Sequence, residues 1–401
     1  MTRSARVAVL YITYDGLLEP LGQSQVLGYM ERLAREWPVY ILSYEKRRDR
    51  EDQVRMAAMR ERLVKAGITW TPLAYHESPS VPATAYDIAL GTFVAVRLAL
   101  RHKVGILHAR SYVPALIALG VKRLTGVKFL FDMRGFWADE RVDGGLWPQN
   151  GRLFRAAKSF ERRFLLAADH VVSLTHAAVR EMQNFPYLRG RMPPTTVIPT
   201  CADLLRFKPT NRTPSSHGFV MGYVGTVGTW RLFNEVAASF SHLLRIRPDA
   251  RFLILNRGEH AYIRERLAAN DVPPSSVTLI AATHDEVPGY MARMDAGIFF
   301  IKPTFSAHAS APTKLAEFLG CGVPCLGNTG VGDMAEVLEG ERIGVALKSF
   351  DEASLLEGLQ QLLRLAADPD TGARCVAAAR RHFSLDEGVA KYRTIYEGLS
   401  E

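Results

Sequence analysis

Short β-like runs alternate with longer amphipathic stretches along the whole chain, and this alternation limits the fold more than any other feature. In the first half the runs are Val7–Ile12, Val39–Ser43, Ile106–His108, Lys128–Phe131 and His170–Leu174, with helical stretches such as Gln25–Glu36 and Gln53–Lys65 between them. The second half repeats the scheme with Gly218–Val224, Arg251–Leu255, Val277–Ile280, Gly297–Ile301, Val323–Leu326 and Ile343–Ala346. Strands that alternate with helices build βαβ units, hence parallel sheets covered by helices on both faces. A stretch rich in Pro, Ser, Thr and Asn near Val197–Ser216 punctuates the chain, and a new strand follows it. A chain of 401 residues suits two such domains better than one. The expectation is α/β, with two Rossmann-like doubly wound domains facing a cleft. Residues 1–205 form the first domain, 206–383 the second, and 384–401 a helix that crosses back to the first. Doubly wound sheets place ligands at the C-terminal ends of their strands.

Composition narrows the function classes. No apolar run approaches the ~20 residues that span a bilayer, and the opening segment reads as a first strand rather than a signal peptide. Four cysteines, Cys201, Cys321, Cys325 and Cys375, do not make a disulfide framework, and they suit a reducing cytoplasm. Cys321 and Cys325 have no second Cys/His pair nearby, so zinc is not expected; both read as small buried apolar groups. Asp368-Pro-Asp370 reads as a turn. No Asp-x-Asp follows a strand of the first half, and the expectation is no metal and no cofactor. Gly-x-Ser-x-Gly, Walker and Cys-x-x-Cys motifs are absent from the sequence, which removes support for hydrolase, P-loop and redox chemistry. Residues 1–200 carry 29 Lys/Arg and 18 Asp/Glu, a balance of +11, against −2 for the remainder. A basic first half suits an anionic membrane surface or a phosphorylated substrate, and equally a solvated face. Basic runs such as Lys46–Arg50 are mixed with acids and lack interleaved aromatics, which argues against nucleic acid.

The most informative segment is Ala309-Ser-Ala-Pro-Thr-Lys-Leu-Ala-Glu-Phe-Leu-Gly-Cys-Gly-Val-Pro-Cys-Leu-Gly-Asn328. Pro312 suits the first position of a helix, Leu315, Phe318 and Leu319 give it an apolar face, and Gly320 and Gly322 end it. The N-terminus of such a helix offers free N–H groups to a diphosphate. Lys314 adds a point charge. Glu317, one turn on, can accept paired hydrogen bonds from vicinal hydroxyls such as those of a ribose. By spacing alone the segment is equally an ordinary αβ unit with a Lys314–Glu317 surface pair.

The segment resembles the donor signature of family 4 glycosyltransferases, which have the GT-B fold and transfer sugars with retention of configuration. The resemblance implies that Glu317 holds the donor ribose and that the loop before it, with Ser310, Ala311 and Thr313, holds diphosphate and sugar. The family's commoner pattern has a second glutamate eight residues earlier, where this chain has Ala309. Tyr14-Asp-Gly16 and Gly22-Gln-Ser-Gln25 resemble the glycine-rich loop near the donor phosphate. Gly222-Tyr-Val-Gly-Thr-Val-Gly-Thr-Trp-Arg231 resembles the first strand and phosphate loop of the donor domain, giving Gly225, Thr226, Gly228 and Arg231 as donor contacts beside Gly22 and Gln23. The family's Arg and Lys after that loop are reduced here to Arg231, with Lys314, Lys302 or Arg257 to compensate. Pro199-Thr-Cys-Ala-Asp203 resembles the interdomain element.

His108-Ala-Arg-Ser-Tyr-Val-Pro114 and Asp132-Met-Arg-Gly-Phe-Trp-Ala-Asp-Glu140 resemble loops of the acceptor-binding first domain. Arg110 and Arg134 can grip a phosphate or carboxylate bidentately, Trp137 can stack on a sugar, and Asp139 joins them; alternatively Arg134 pairs with Asp132 or Asp139 and shapes the loop. Thr283-His-Asp-Glu286 is a capping box before a helix Val287–Arg293; the resemblance puts Ala281–Thr283 near the base, and His284 reads as a surface residue. The amphipathic stretch Arg152–Leu166 can lie on an anionic surface or pack on the sheet.

The resulting expectation is a retaining, metal-independent hexosyltransferase of glycan or glycoconjugate biosynthesis. It uses a UDP- or GDP-sugar and a hydroxyl acceptor, lipid-linked or phosphorylated. Lys314, Glu317 and Arg134 hold the catalytic roles. The expected location is the cytoplasm, with peripheral contact at the inner membrane face. A GT-B-fold sugar-nucleotide epimerase and a non-catalytic sugar-nucleotide-binding protein are the alternatives.

Overall fold

The computed structural model describes residues 6–210, 218–283 and 285–401. Residues 211–216 of the punctuating stretch, and His284, lie outside the described residues. The chain divides into two units, Met1–Pro199 with Leu385–Glu401, and Thr200–Ser384. Residue 202 is tied to the second unit through its N–H to the carbonyl of Phe383, at 2.9 Å.

The first unit is built on seven parallel strands: β1 Ala8–Thr13, β2 Val39–Glu45, β3 Ile68–Ala74, β4 Val104–Arg110, β5 Lys128–Asp132, β6 His170–Ser173 and β7 Thr195–Val197. Their order is β3-β2-β1-β4-β5-β6-β7. Every residue of β1 is buried, as the unbroken apolar run Ala-Val-Leu-Tyr-Ile requires of a central parallel strand. The two outermost strands, β3 and β7, are missing from the sequence reading for a physical reason. β3 is an edge strand carrying Pro72, tolerated there because one of its sides needs no ladder bond, and β7 is three residues long. Order reverses between β1 and β4, so the loops after them form a topological switch point.

Four helices of the first unit matter below: Ser80–Arg101, Tyr112–Thr125, Arg152–Ala167 and Leu385–Ser400. The first three follow crossovers in one direction along the sheet, and neighbours among them pack together. The last is fixed from the other side, where Tyr392 donates to Asp132 at 3.1 Å and the Tyr396 hydroxyl meets His108 Nδ1 at 2.7 Å. Among the described residues, Ser80–Arg101 is long and apolar enough to cross a membrane by length and composition, which corrects the reading that nothing approaches that length. Its inner side rests on the unit: Asp87 is fully buried, and the Tyr44 hydroxyl donates to the Asp87 carbonyl at 2.6 Å.

The second unit has six parallel strands: β8 Val220–Val224, β9 Arg251–Leu255, β10 Val277–Ile280, β11 Ala296–Ile298, β12 Cys325–Asn328 and β13 Gly344–Leu347. Their order is β10-β9-β8-β11-β12-β13, with the switch point between β8 and β11. Its core includes Phe240 stacked on Phe252, with ring centroids 4.6 Å apart. The four cysteines are free and buried. Asp368 and Pro369 separate two helices, and Arg374 binds the Asp368 carboxylate at 2.8 Å.

Candidate active site

At the switch point of the second unit, β8 ends and the chain turns at Gly225, whose φ is +107°. A Cβ there would stand 2.8 Å from both Cε and Nζ of Lys314. Glycine is therefore required for its backbone angle, and its lack of a side chain leaves room for the end of Lys314. Side chains fix the turn. Asn256 Nδ2 donates to the Gly225 carbonyl at 2.9 Å and to Glu259 Oε2 at 2.8 Å, and the same carboxylate oxygen accepts from Val227 N at 3.1 Å. Asn256 and Glu259 escaped the sequence reading because they belong to the end of β9 and the loop after it, outside any motif. Thr226 and Gly228 are exposed on the loop. Arg231 is carried to the site by an antiparallel bridge to Ile301, in the segment after β11; Asn328 pins that segment by bonding both the N–H and the carbonyl of Ile301 at 2.9 Å.

Opposite the turn, a short 3₁₀ segment Phe305–Ala309 leads to the helix Thr313–Gly320. Pro312 occupies the cap position, one residue before the helix, and offers no side-chain cap. The first helical amides therefore point outward beside Ser310 and Ala311. Lys314 Nζ is buried without a hydrogen-bond partner and lies 5.0 Å from the centre of the Tyr223 ring. Burial, then repulsion from Arg231, pulls its pKa down to about 7, with Glu317 and Glu259 acting the other way. Burial lowers Arg231 as well. Burial raises Glu317 to about 7, opposed by Lys314 and Arg206. Two crowded cations that Glu317 and Glu259 offset only in part, an uncapped helix N-terminus and a glycine turn make a site suited to an anionic ligand, with Lys314 Nζ left free to bond it. Ala309 is buried in the 3₁₀ segment, so no carboxylate stands where the family's commoner pattern has one. Arg257 is turned aside, its Nε donating to the Ala282 carbonyl at 2.7 Å. Thr283 N and Oγ1 both donate to the Glu286 carboxylate, before a helix Val287–Met291.

The strand ends of the first unit line a cavity of about 790 Å³. Arg110, the last residue of β4, is 4% exposed. Its Nε donates to Asp15 at 3.2 Å and its Nη1 is 3.8 Å from Asp132, without a hydrogen-bond partner. Arg134 is held at φ +60°, with Nη1 3.9 Å from Asp132, so both arginines flank one carboxylate at the cavity floor. Burial pushes Asp132 up, but Arg134, the His108 hydrogen bond and Arg110 outweigh it and hold it below the usual range. Trp137 lines the wall, edge-on to Trp147 at 5.2 Å. Asp139 is turned into an ion pair with Lys158 at 2.9 Å and is not among the lining residues. Gly22 serves close packing: a Cβ there would stand 2.0 Å from the Gly16 carbonyl oxygen. Gln23 donates to Leu18 O at 3.4 Å.

The cavity also holds groups that sequence reasoning missed. His76 Nδ1 meets Asp87 at 2.6 Å, and the Tyr14 hydroxyl donates to the other Asp87 oxygen at 2.8 Å. A lone carboxylate inside the apolar helix Ser80–Arg101 was the available signal. Glu140 also lines the cavity, and burial raises its pKa to about 7. Arg134 thus belongs to the first unit, and Lys314 and Glu317 to the second.

Residues 22–201 match the model of the glycosyl transferase 4-like domain, and residues 218–365 match that of glycosyl transferases group 1. The chain belongs to the group 1 glycosyltransferases. Its fold is GT-B. It resembles sucrose-phosphate synthase from Thermosynechococcus elongatus (TM-score 0.76, 12% identity, covering 98% of this chain and 99% of that one). It also resembles a glycosyltransferase from Rickettsia africae (0.73, 14%, 99% of each chain). Anabaena HepE, solved with UDP-glucose, is similar too (0.69, 14%, 98% and 99%). No curated protein matches the sequence.

Proposed function

We propose that this glycosyltransferase moves a hexose from a UDP- or GDP-sugar to a hydroxyl acceptor with retention, in glycan or glycoconjugate biosynthesis in the cytoplasm. The observation that carries the reading is Lys314, a buried ammonium without a hydrogen-bond partner, poised over Gly225 beside a second cation. Such a group is costly in the empty site and favourable only against an anion. As the sugar–phosphate bond breaks, negative charge grows on the departing diphosphate. Lys314, Arg231 and the amides at Thr313 stabilise it there, which is where preorganised donors accelerate transfer most. Glu317 orients the nucleotide through its ribose hydroxyls. The cavity with Arg110 and Arg134 takes the acceptor. The family resemblance supports retention, with the leaving phosphate receiving the acceptor's proton and no metal in the step. HepE, which was solved with UDP-glucose, supports a uridine donor.

The test is incubation with a panel of nucleotide sugars and hydroxyl acceptors. UDP or GDP release that requires acceptor, undiminished by EDTA, with retained configuration by proton NMR, is the expected result. Epimerised donor without acceptor would establish an isomerase, and binding without turnover across the panel a non-catalytic protein.

A further inference from the structure

The three helices on one face of the first sheet, Ser80–Arg101, Tyr112–Thr125 and Arg152–Ala167, carry an unusual outer surface. Tyr86, Phe93 and Leu100 are spaced by seven, so they form one stripe along the first helix, and they are 56%, 60% and 66% exposed. Val81 lies on the same helix, Leu124 ends the second, and Leu153 and Leu166 sit near the two ends of the third. These seven are half of the large apolar side chains left exposed among the described residues. A soluble surface rarely concentrates them in this way.

The charge on this face is one-sided. The three helices contain nine Lys/Arg and two carboxylates, and both carboxylates, Asp87 and Glu161, are fully buried. Lys122 and Lys158 are consumed in ion pairs with Asp169, Asp139 and Glu161. The remaining seven arginines form no ion pair with any described residue, and all are exposed. Aromatic and aliphatic side chains that share three helices with seven unpaired arginines, with no outward carboxylate on those helices, match an anionic lipid surface in both polarity and charge, the exposed Glu77 lying just before the first helix.

The cavity opens at this face. Its floor holds Arg110, with its unpartnered and buried Nη1, and Arg134. Val81, Ala85 and Ile88 from the first helix and Leu153, Ala157 and Phe160 from the third give it apolar walls, beside the polar Glu77, Ser80 and Thr84. Val81 and Leu153 therefore belong both to the exposed apolar surface and to the cavity wall. One continuous path runs from a floor where Arg110 and Arg134 flank Asp132, with Asp15 and Glu140 beside them and one Arg110 N–H to spare, along apolar walls to an apolar, basic face.

We propose that the acceptor is an anionic amphiphile bearing a hydroxyl, its headgroup on Arg110 and Arg134 and its chain in the corridor, drawn from an anionic bilayer on which these three helices dock. This rests on the glycosyltransferase reading only for the word acceptor; the surface and the corridor stand without it. The long helix lies flat on such a bilayer rather than across it, because Asp87 and its partners hold its inner side to the sheet.

Flotation of the full-length protein with vesicles of equal parts phosphatidylglycerol and phosphatidylcholine tests the docking, beside vesicles of phosphatidylcholine alone. Phe93→Asp with Leu100→Asp, both at exposed positions, removes the stripe without touching the cavity. The wild type is expected to float with anionic vesicles at low salt, and the double variant to lose that binding by about tenfold or more. UDP affinity by calorimetry stays equal in both. The corridor is tested by tryptophan emission on titration with dodecyl phosphate and inorganic phosphate, since Trp137 and Trp147 line the cavity. Dodecyl phosphate is expected to bind at least about tenfold more tightly than inorganic phosphate, the ratio falling when Ala85→Trp narrows the corridor. A protein that binds UDP yet never floats, or that floats equally with neutral vesicles, overturns the docking, and equal affinity for both phosphates overturns the corridor. Absence of nucleotide binding would instead sink the glycosyltransferase reading.

Discussion

Each unit buries a cation at its switch point, and the two are held in opposite ways. Arg110 has carboxylates on two sides, Asp15 and Asp132. Lys314 has a second cation, Arg231, as its strongest charged neighbour and no hydrogen-bond partner. The first is a satisfied structural charge with one N–H to spare, and the second a charge without a hydrogen-bond partner, which in the proposed reaction the ligand supplies. Removing one partner of a compensated group leaves the others stranded, whereas removing an uncompensated charge relieves the fold.

The comparison breaks most visibly at Lys314. Lys314→Met is expected to lower kcat by about 100-fold, since in the proposed reaction the lost charge acts mainly on the departing diphosphate. The same substitution should stabilise the ligand-free protein at neutral pH, on the order of 1–3 kcal/mol. The sign follows from linkage. The folded pKa of Lys314 is depressed to about 7 from 10.5, so between those values the unfolded chain binds the proton more strongly, and wild-type stability rises with pH across that window. Thermal melts of wild type and variant converge as pH rises toward the ordinary lysine value. Equal melting temperatures at neutral pH would show that Lys314 already has a partner.

Arg110→Met should do the reverse. Acceptor kcat/KM falls by about tenfold while nucleotide affinity is unchanged, and the fold loses on the order of 1–3 kcal/mol because Asp15 and Asp132 lose their cation. A variant as stable as wild type would place Arg110 among groups held only for ligand. Steady-state kinetics with each substrate varied, beside denaturant melts, separates the two effects.

The same contrast explains what could be read from the sequence. The second site lies mostly in one stretch, Ala309–Asn328, and one turn, Gly222–Arg231, because a helix N-terminus and a glycine turn are local structures with local signatures. Its supports, Asn256 and Glu259, come from the neighbouring strand end and carry no motif. The first site is assembled from β1, β4, β5 and the helix Ser80–Arg101, so that Arg110 and Arg134 were legible as strand-end residues but the pairing of His76 with Asp87 was not. Central strands showed themselves as apolar runs. The outer strands β3 and β7 did not, since an edge strand with Pro72 and a three-residue strand are specified by their neighbours more than by their own residues.

A smaller effect sharpens the donor site through pH. In the proposed binding mode Lys314 must be protonated to meet the diphosphate and Glu317 ionised to accept from ribose hydroxyls, and both pKa values lie at about 7. Nucleotide affinity should therefore peak near neutrality. It falls by up to about tenfold per pH unit on the alkaline side as Lys314 loses its proton, and on the acid side as Glu317 gains one. UDP calorimetry across this range should show Glu317→Gln removing the acid limb and leaving the alkaline one. If the acid limb survives in that variant, a different group sets it.

The smallest effect on turnover is expected at His76, and its smallness is informative. Asp87 accepts from the His76 ring and from Tyr14, an arrangement that could orient an imidazole to take an acceptor's proton. In the proposed retaining reaction the departing phosphate receives that proton, so the imidazole only lines the cavity wall. His76 is partly exposed, at 43% of its side chain, but its partner Asp87 is fully buried, so its removal should cost about 1–3 kcal/mol of stability while leaving turnover almost untouched. His76→Ala is then expected to keep kcat within about twofold and to raise acceptor KM alone. Tyr14→Phe should behave likewise, because it too removes a hydrogen bond from Asp87 without touching the ring. A fall in kcat of about 100-fold for His76→Ala, with Tyr14→Phe near wild type, would make His76 the base. That outcome would move the chemistry from the phosphate of the second unit to the dyad of the first and favour inversion over retention.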